Sequence, residues 1–164
     1  MNLLLVGCGK MGQALLTRWL ERRLCQQIYV IEPAAIEADV PHVQLLGDIP
    51  PTYKPDVVVF AVKPQVLPDM AGQYKRFADQ GALFISIAAG KPVSFFEQHL
   101  GSNAAVVRAM SLARKTLNVV LAEQTLIEPI GKVLTAAGLT VVPLEKARLA
   151  SRDKSLAVVT LLPF

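Results

Sequence analysis

Three glycines stand where an apolar run ends. Residues 3–7 read LLLVG, and Gly7-Cys8-Gly9-Lys10-Met11-Gly12 follows the spacing G-x-G-x-x-G. That spacing points to phosphate chemistry when it follows a strand and opens a helix. The first glycine makes the tight turn. The second lets the backbone approach a pyrophosphate with no Cβ in the way, and the third lets helix and strand pack closely. The helix N-terminus then offers free N–H groups and a partial positive charge to the anion. Glu32 lies twenty residues beyond Gly12, at the end of a second apolar run, QIYVIE (27–32). A carboxylate at that place accepts hydrogen bonds from ribose hydroxyls and repels a 2′-phosphate. No arginine follows it directly, so the pattern favours NADH over NADPH. Lys10 either touches phosphate or points to water. Cys8 sits near a helix start that lowers a thiol pKa, but it reads best as a small filler residue.

Other chemistries lack their residues. His42 and His99 stand apart, with no nucleophile motif and no metal-ligand spacing, so no metal is expected. No G-x-x-x-x-G-K-[ST] occurs, which argues against a nucleoside triphosphatase. Asp56 and Asp69 flank elements and read as caps or solvated ends.

The elements that must position the loop alternate. Strands are expected at 3–7, 27–32, 42–46, 56–62, 82–90 and 104–110, and helices at 11–24, 67–78 and 93–100. Met11, Leu15, Trp19 and Arg22 fall on one stripe of the first helix, with Leu16, Leu20 and Leu24 close beside it. Strands alternating with helices imply βαβ units and a parallel sheet. Beyond Met110 the pattern reads as helix over 116–138, broken at Pro129 and capped at Gly138. A last strand (139–144), a polar helix (145–154) and an apolar tail, SLAVVTLLPF, follow. The fold expected is one α/β domain, Rossmann-type and doubly wound, with a mostly parallel sheet of about seven or eight strands. Residues 1–144 form the NAD(P)-binding unit, and residues 145–164 a short helical and apolar tail.

Composition agrees with that class. Of the 164 residues 52% are hydrophobic, and the mean hydropathy is +0.41. Both suit strands buried on two faces. No apolar run approaches the roughly 18 residues of a membrane span, and no signal-peptide pattern opens the chain, so a cytoplasmic location is expected. Cys8 and Cys25 are expected to be reduced. Residues 108–164 carry eight Lys/Arg and four Asp/Glu, the whole formal excess of +4. These charges are scattered without interleaved aromatics, so they read as a solvated surface and not as a nucleic-acid site.

DVVVFAVKPQ (56–65), SIAAG (86–90) and VVRAM (106–110), together with the glycine loop, resemble the pyrroline-5-carboxylate reductase family in order and spacing. The likeness covers residues 1–110 and, more loosely, continues to about Val142. It implies a fold that binds NAD(P)H and reduces the cyclic imine 1-pyrroline-5-carboxylate to L-proline. Ala61, Val62, Lys63 and Pro64 match the segment along the cofactor's ribose and phosphates, and Ala88 and Ala89 match small residues beside the nicotinamide. Where the family continues with Pro-Asn-Thr-Pro, this chain has Ser111-Leu112-Ala113-Arg114, so no catalytic residue is assigned. The family's helical domain for dimerisation and substrate has no expected counterpart. The other readings are a domain that binds dinucleotide without turnover, a reductase of another imine or a 2-hydroxy acid, and, more weakly, a methyltransferase. The apolar tail must be buried, which leads us to expect a homodimer.

Overall fold

The first strand is apolar at every position from Leu3 to Val6, and the structure explains why. In the computed structural model, which describes residues 1–112, 116–121 and 157–161, this strand is central, with side chains buried on both faces. β1 (Asn2–Val6) pairs in parallel with β2 (Gln27–Ile31) on one side and β4 (Val57–Phe60) on the other. The sheet continues through β3 (His42–Val43), β5 (Leu83–Ser86), β6 (Ala105–Leu112), β7 (Thr116–Leu121) and β8 (Ala157–Leu161). Strand order is β3-β2-β1-β4-β5-β6-β7-β8. Six strands are parallel, in the doubly wound order. β7 and β8 join antiparallel.

Each face of the sheet has its own core. Leu3, Leu5, Val57, Val59 and Ile85 meet Leu15, Leu16 and Trp19 of α1 (Lys10–Glu21). Leu4, Val58, Phe60 and Phe84 face the other way. They meet Leu67, Tyr74, Phe77 and Phe96 from α2 (Leu67–Met70), a 3-10 turn (Ala71–Tyr74), α3 (Lys75–Asp79) and α4 (Val93–Leu100). On that face Phe60 stacks on Phe84 and Phe96, with ring centroids 5.8 and 6.0 Å apart.

Several expectations change. Met11 and Leu20 are 49% and 39% exposed. At 3.6 residues per turn both lie about 90° from the middle of the stripe Gly12, Leu15, Leu16 and Trp19, so the sheet does not cover them. The strand expected at 42–46 stops at Val43 and turns through a 3-10 segment, Leu46–Asp48. The helix expected over 67–78 is broken into three short pieces around Gly72, a residue of low helix propensity. Residues 116–121 are strand, not helix: TLNVVL is rich in β-branched residues and pairs along the open edge of β6, whose backbone groups need partners. Within the apolar tail, residues 157–161 likewise form β8. The helix expected over 122–138, the strand over 139–144 and the helix over 145–154 lie outside the described residues.

Two close approaches fix α1 against the sheet. Gly7 has φ +89°, a backbone conformation that residues other than glycine rarely adopt. A Cβ on Gly12 would fall on the Gly7 carbonyl oxygen and touch the Ala61 methyl. Gly12→Ala therefore has to push α1 away from β1. We expect it to cost about 1–3 kcal/mol, the usual range for overpacking, read as a lower urea midpoint. Phe84→Ala, at a fully buried site, should cost about 3–5 kcal/mol. A loss under about 1 kcal/mol would contradict its place in the core.

Candidate functional site

The parallel ladder continues past the strand ends. The Gly7 N–H donates to the Ile31 carbonyl at 2.8 Å, and the Ala61 N–H donates to the Val6 carbonyl at 2.8 Å. The loops after β1, β2 and β4 therefore leave the sheet side by side. β1 is where the strand order reverses, and open α/β sheets take their ligands in the crevice at such a point.

Glu32 ties two of these loops together. Its Oε2 accepts the Cys8 N–H at 2.7 Å, and its Oε1 accepts the Ala34 N–H at 3.2 Å. Its own N–H donates to the Val43 carbonyl at 3.0 Å. The Glu32 carbonyl lies 2.6 Å from His42 Nε2. A carbonyl can only accept, so His42 carries a proton on Nε2. His42 is thus structural, holding the end of β2 to β3.

The helix start expected to lower the Cys8 thiol pKa does not do so. Burial first, and the Glu32 carboxylate second, push it above the ordinary thiol value. Burial is also the main cause that pushes Cys25 up to about 11. Both are free thiols, and neither is a ready thiolate at neutral pH.

Gly9 is the N-cap of α1, with no side-chain cap and no acidic residue in the first turn. The opening N–H groups of the helix thus have no side-chain acceptor, as an anion site requires. A Cβ on Gly9 would meet nothing within 4 Å, so the space above the loop is open.

Beside the loop lies a cavity of about 540 Å³, within the usual range for small-molecule sites. Gly7, Gly9, Glu32, Ala61, Val62 and Lys63 all line it. Cys8, Lys10, Met11, Gly12 and Pro64 adjoin these residues in the chain but do not line the cavity. Lys10 and Met11 are exposed, and Gly12 is buried beneath the turn. Ala88 is buried in the second core and Ala89 is exposed beyond β5, both away from the lining.

Part of the lining is not foreseen from the sequence. Leu45, Val66, Met70 and Tyr74 form part of it. Leu45 and Val66 are 66% and 44% exposed. Large apolar residues inside turns after strand ends were the one available signal. Among the described lining residues the charged groups are Glu32 and Lys63. Among the described residues no cluster of His, Cys, Asp and Glu could hold a metal ion. None of their helices is long and apolar enough to cross a membrane. A glycine cradle, free helix amides, an oriented carboxylate and a cavity of this size fit a dinucleotide.

Comparison with known proteins agrees. The pyrroline-5-carboxylate reductase of Methanosarcina acetivorans is 30% identical over 118 residues, covering 64% of this chain and 42% of that protein. Among solved structures, Plasmodium falciparum pyrroline carboxylate reductase with NADP bound has a TM-score of 0.64 at 17% identity, covering 84% of this chain and 55% of the other. A Coxiella burnetii pyrroline-5-carboxylate reductase has a TM-score of 0.58 at 25% identity, covering 66% and 43%. The chain thus spans about half the length of these relatives. The model for NADP oxidoreductases, coenzyme F420-dependent, matches residues 2–90. That is more than half of the sequence, and the chain belongs to this family of oxidoreductases.

Proposed function

We propose that this chain is the cofactor-holding part of an oxidoreductase of the pyrroline-5-carboxylate reductase type, binding NADH in preference to NADPH. The observation that carries the reading is the Glu32 carboxylate, held against the glycine loop at 2.7 Å and lining the cavity. Nicotinamide dinucleotides supply a hydride, which in this reaction would go to the C=N carbon of 1-pyrroline-5-carboxylate while a proton goes to the imine nitrogen, yielding L-proline and the oxidised dinucleotide. The chain's own residues bind and orient. The start of α1 and Gly9 receive the pyrophosphate. Glu32 keeps lone pairs for ribose hydroxyls, because each oxygen uses only part of its capacity on a backbone N–H. Ala61, Val62, Lys63 and Pro64 flank the ribose and phosphates, and Ala88 and Ala89 leave room at the nicotinamide end.

Selection against a 2′-phosphate follows from charge. Glu32 is followed by Pro33-Ala34-Ala35-Ile36, which holds no cation. Lys63 is on the loop after β4, the other wall of the crevice. A phosphate beside an uncompensated carboxylate is disfavoured by about 1–3 kcal/mol at effective dielectrics near a protein surface. We further propose residues 1–144 as the binding unit and 145–164 as a short helical and apolar tail that includes β8, acting in a cytoplasmic homodimer.

A second reading, binding without turnover, is favoured by one observation. Where the family pattern runs Pro-Asn-Thr-Pro, this chain keeps Ser111 and Leu112 in the β6–β7 ladder, opposite Leu117 and Thr116.

Calorimetric titration tests both readings. The chain should bind NADH about tenfold more tightly than NADPH. Glu32→Gln should bring the two within about threefold, and an unchanged ratio would refute the role of Glu32. Gly9→Ala should weaken both dinucleotides at least about tenfold while its thermal midpoint stays at the wild-type value, because a Cβ there meets only open space. Turnover of 1-pyrroline-5-carboxylate with NADH then separates an enzyme from a binder.

A further inference from the structure

Tyr74 ends the 3-10 turn Ala71–Tyr74 and is only 2% exposed. Its ring stands edge-on to Phe60, with centroids 5.1 Å apart, and lies tilted against Phe77 at 6.4 Å. A phenol sunk this deep ordinarily finds a partner for its oxygen. Tyr53 on the same face does so, donating to the Leu3 carbonyl at 2.8 Å. The Tyr74 hydroxyl has no hydrogen-bond partner among the described residues. It is not among the buried polar atoms sealed away without a bond, and the residue lines the 540 Å³ cavity. A polar atom is thus supplied to the cavity from inside an aromatic core. Burial raises its pKa above the ordinary phenol value, so at neutral pH it is a neutral donor and acceptor.

The surrounding wall narrows what meets it. Leu45, Val66 and Met70 are apolar and line the same cavity as Glu32. A flat apolar body with a polar edge, joined to the ribose that Glu32 faces, is a nucleobase. We propose that the Tyr74 hydroxyl hydrogen-bonds the polar edge of the adenine of the bound dinucleotide, making Tyr74 a determinant of affinity in the adenosine half of the site. This rests on the dinucleotide reading of the cavity.

Tyr74→Phe keeps the ring and removes only the oxygen. Because that oxygen satisfies nothing among the described residues, the thermal midpoint should stay level or rise, whereas a structural hydroxyl would lower it. By calorimetry the variant should bind NADH about three- to tenfold more weakly, the usual worth of one neutral hydrogen bond. ADP-ribose, which lacks nicotinamide, should weaken by the same factor. NADH affinity within twofold of wild type would overturn the role of Tyr74 alone, and so would a loss seen with NADH but not with ADP-ribose. Wild-type chain that binds neither NADH nor NADPH would overturn the dinucleotide reading, and this inference with it.

Discussion

The site depends on one steric constraint, the absence of a side chain at Gly12. The start of α1 lies so close to the end of β1 that a Cβ would fall on the Gly7 carbonyl oxygen. That closeness decides where the free N–H groups of the helix stand relative to the sheet. It also forces the chain to turn within Gly7, at φ +89°, with Ala61 and Val62 of the neighbouring strand end pressed against the turn. Helix, turn and β4 loop form one rigid unit because there is no slack between them. An anion site made from backbone needs this rigidity: its donors are worth most when they are already aimed.

Glu32 adds the electrostatic counterpart. A carboxylate near a helix N-terminus is stabilised by the partial positive charge there. By accepting the Cys8 N–H it consumes one donor of the loop and leaves the amides of the helix start. The arrangement divides the crevice, with a backbone anion pocket at the helix and a carboxylate beside it. Exposed ion pairs among the described residues, such as Arg18–Glu21 and Lys75–Asp79, lie far more freely in solvent and contribute little, as such pairs generally do. Position, and not the number of charges, is what matters in this chain.

The legible parts of the sequence were those whose signals are local. The glycine spacing, the run VVVF of β4 and the acidic end of β2 each state their own environment, because a strand buried on two faces must be apolar throughout. The six parallel strands and their alternation with helices could be read for that reason. TLNVVL could not: its apolar positions fit a helix as well as a strand over so short a span, and its pairing with β6 is a tertiary choice. The rest of the cavity lining escaped for a related reason. Leu45, Val66 and Tyr74 come from separate turns, and only the finished sheet brings them into one cavity with Glu32.

Core and site are therefore not separable on the Phe60 face of the sheet. Phe60 ends β4, stacks on Phe84 and Phe96 and receives the edge of Tyr74, while the residues directly after it, Ala61 to Lys63, line the cavity. The same aromatic contacts that stabilise this half of the core fix the backbone of the β4 loop and hold Tyr74 at the cavity wall. A core change there reaches the cavity through rigid neighbours, since close-packed interiors transmit strain. On the α1 face, Leu5, Leu16 and Trp19 act on the site only through the seat of the helix at Gly12. Substitutions on the two faces should thus differ in kind. Those under α1 move the anion donors, whereas those around Phe60 reshape the cavity.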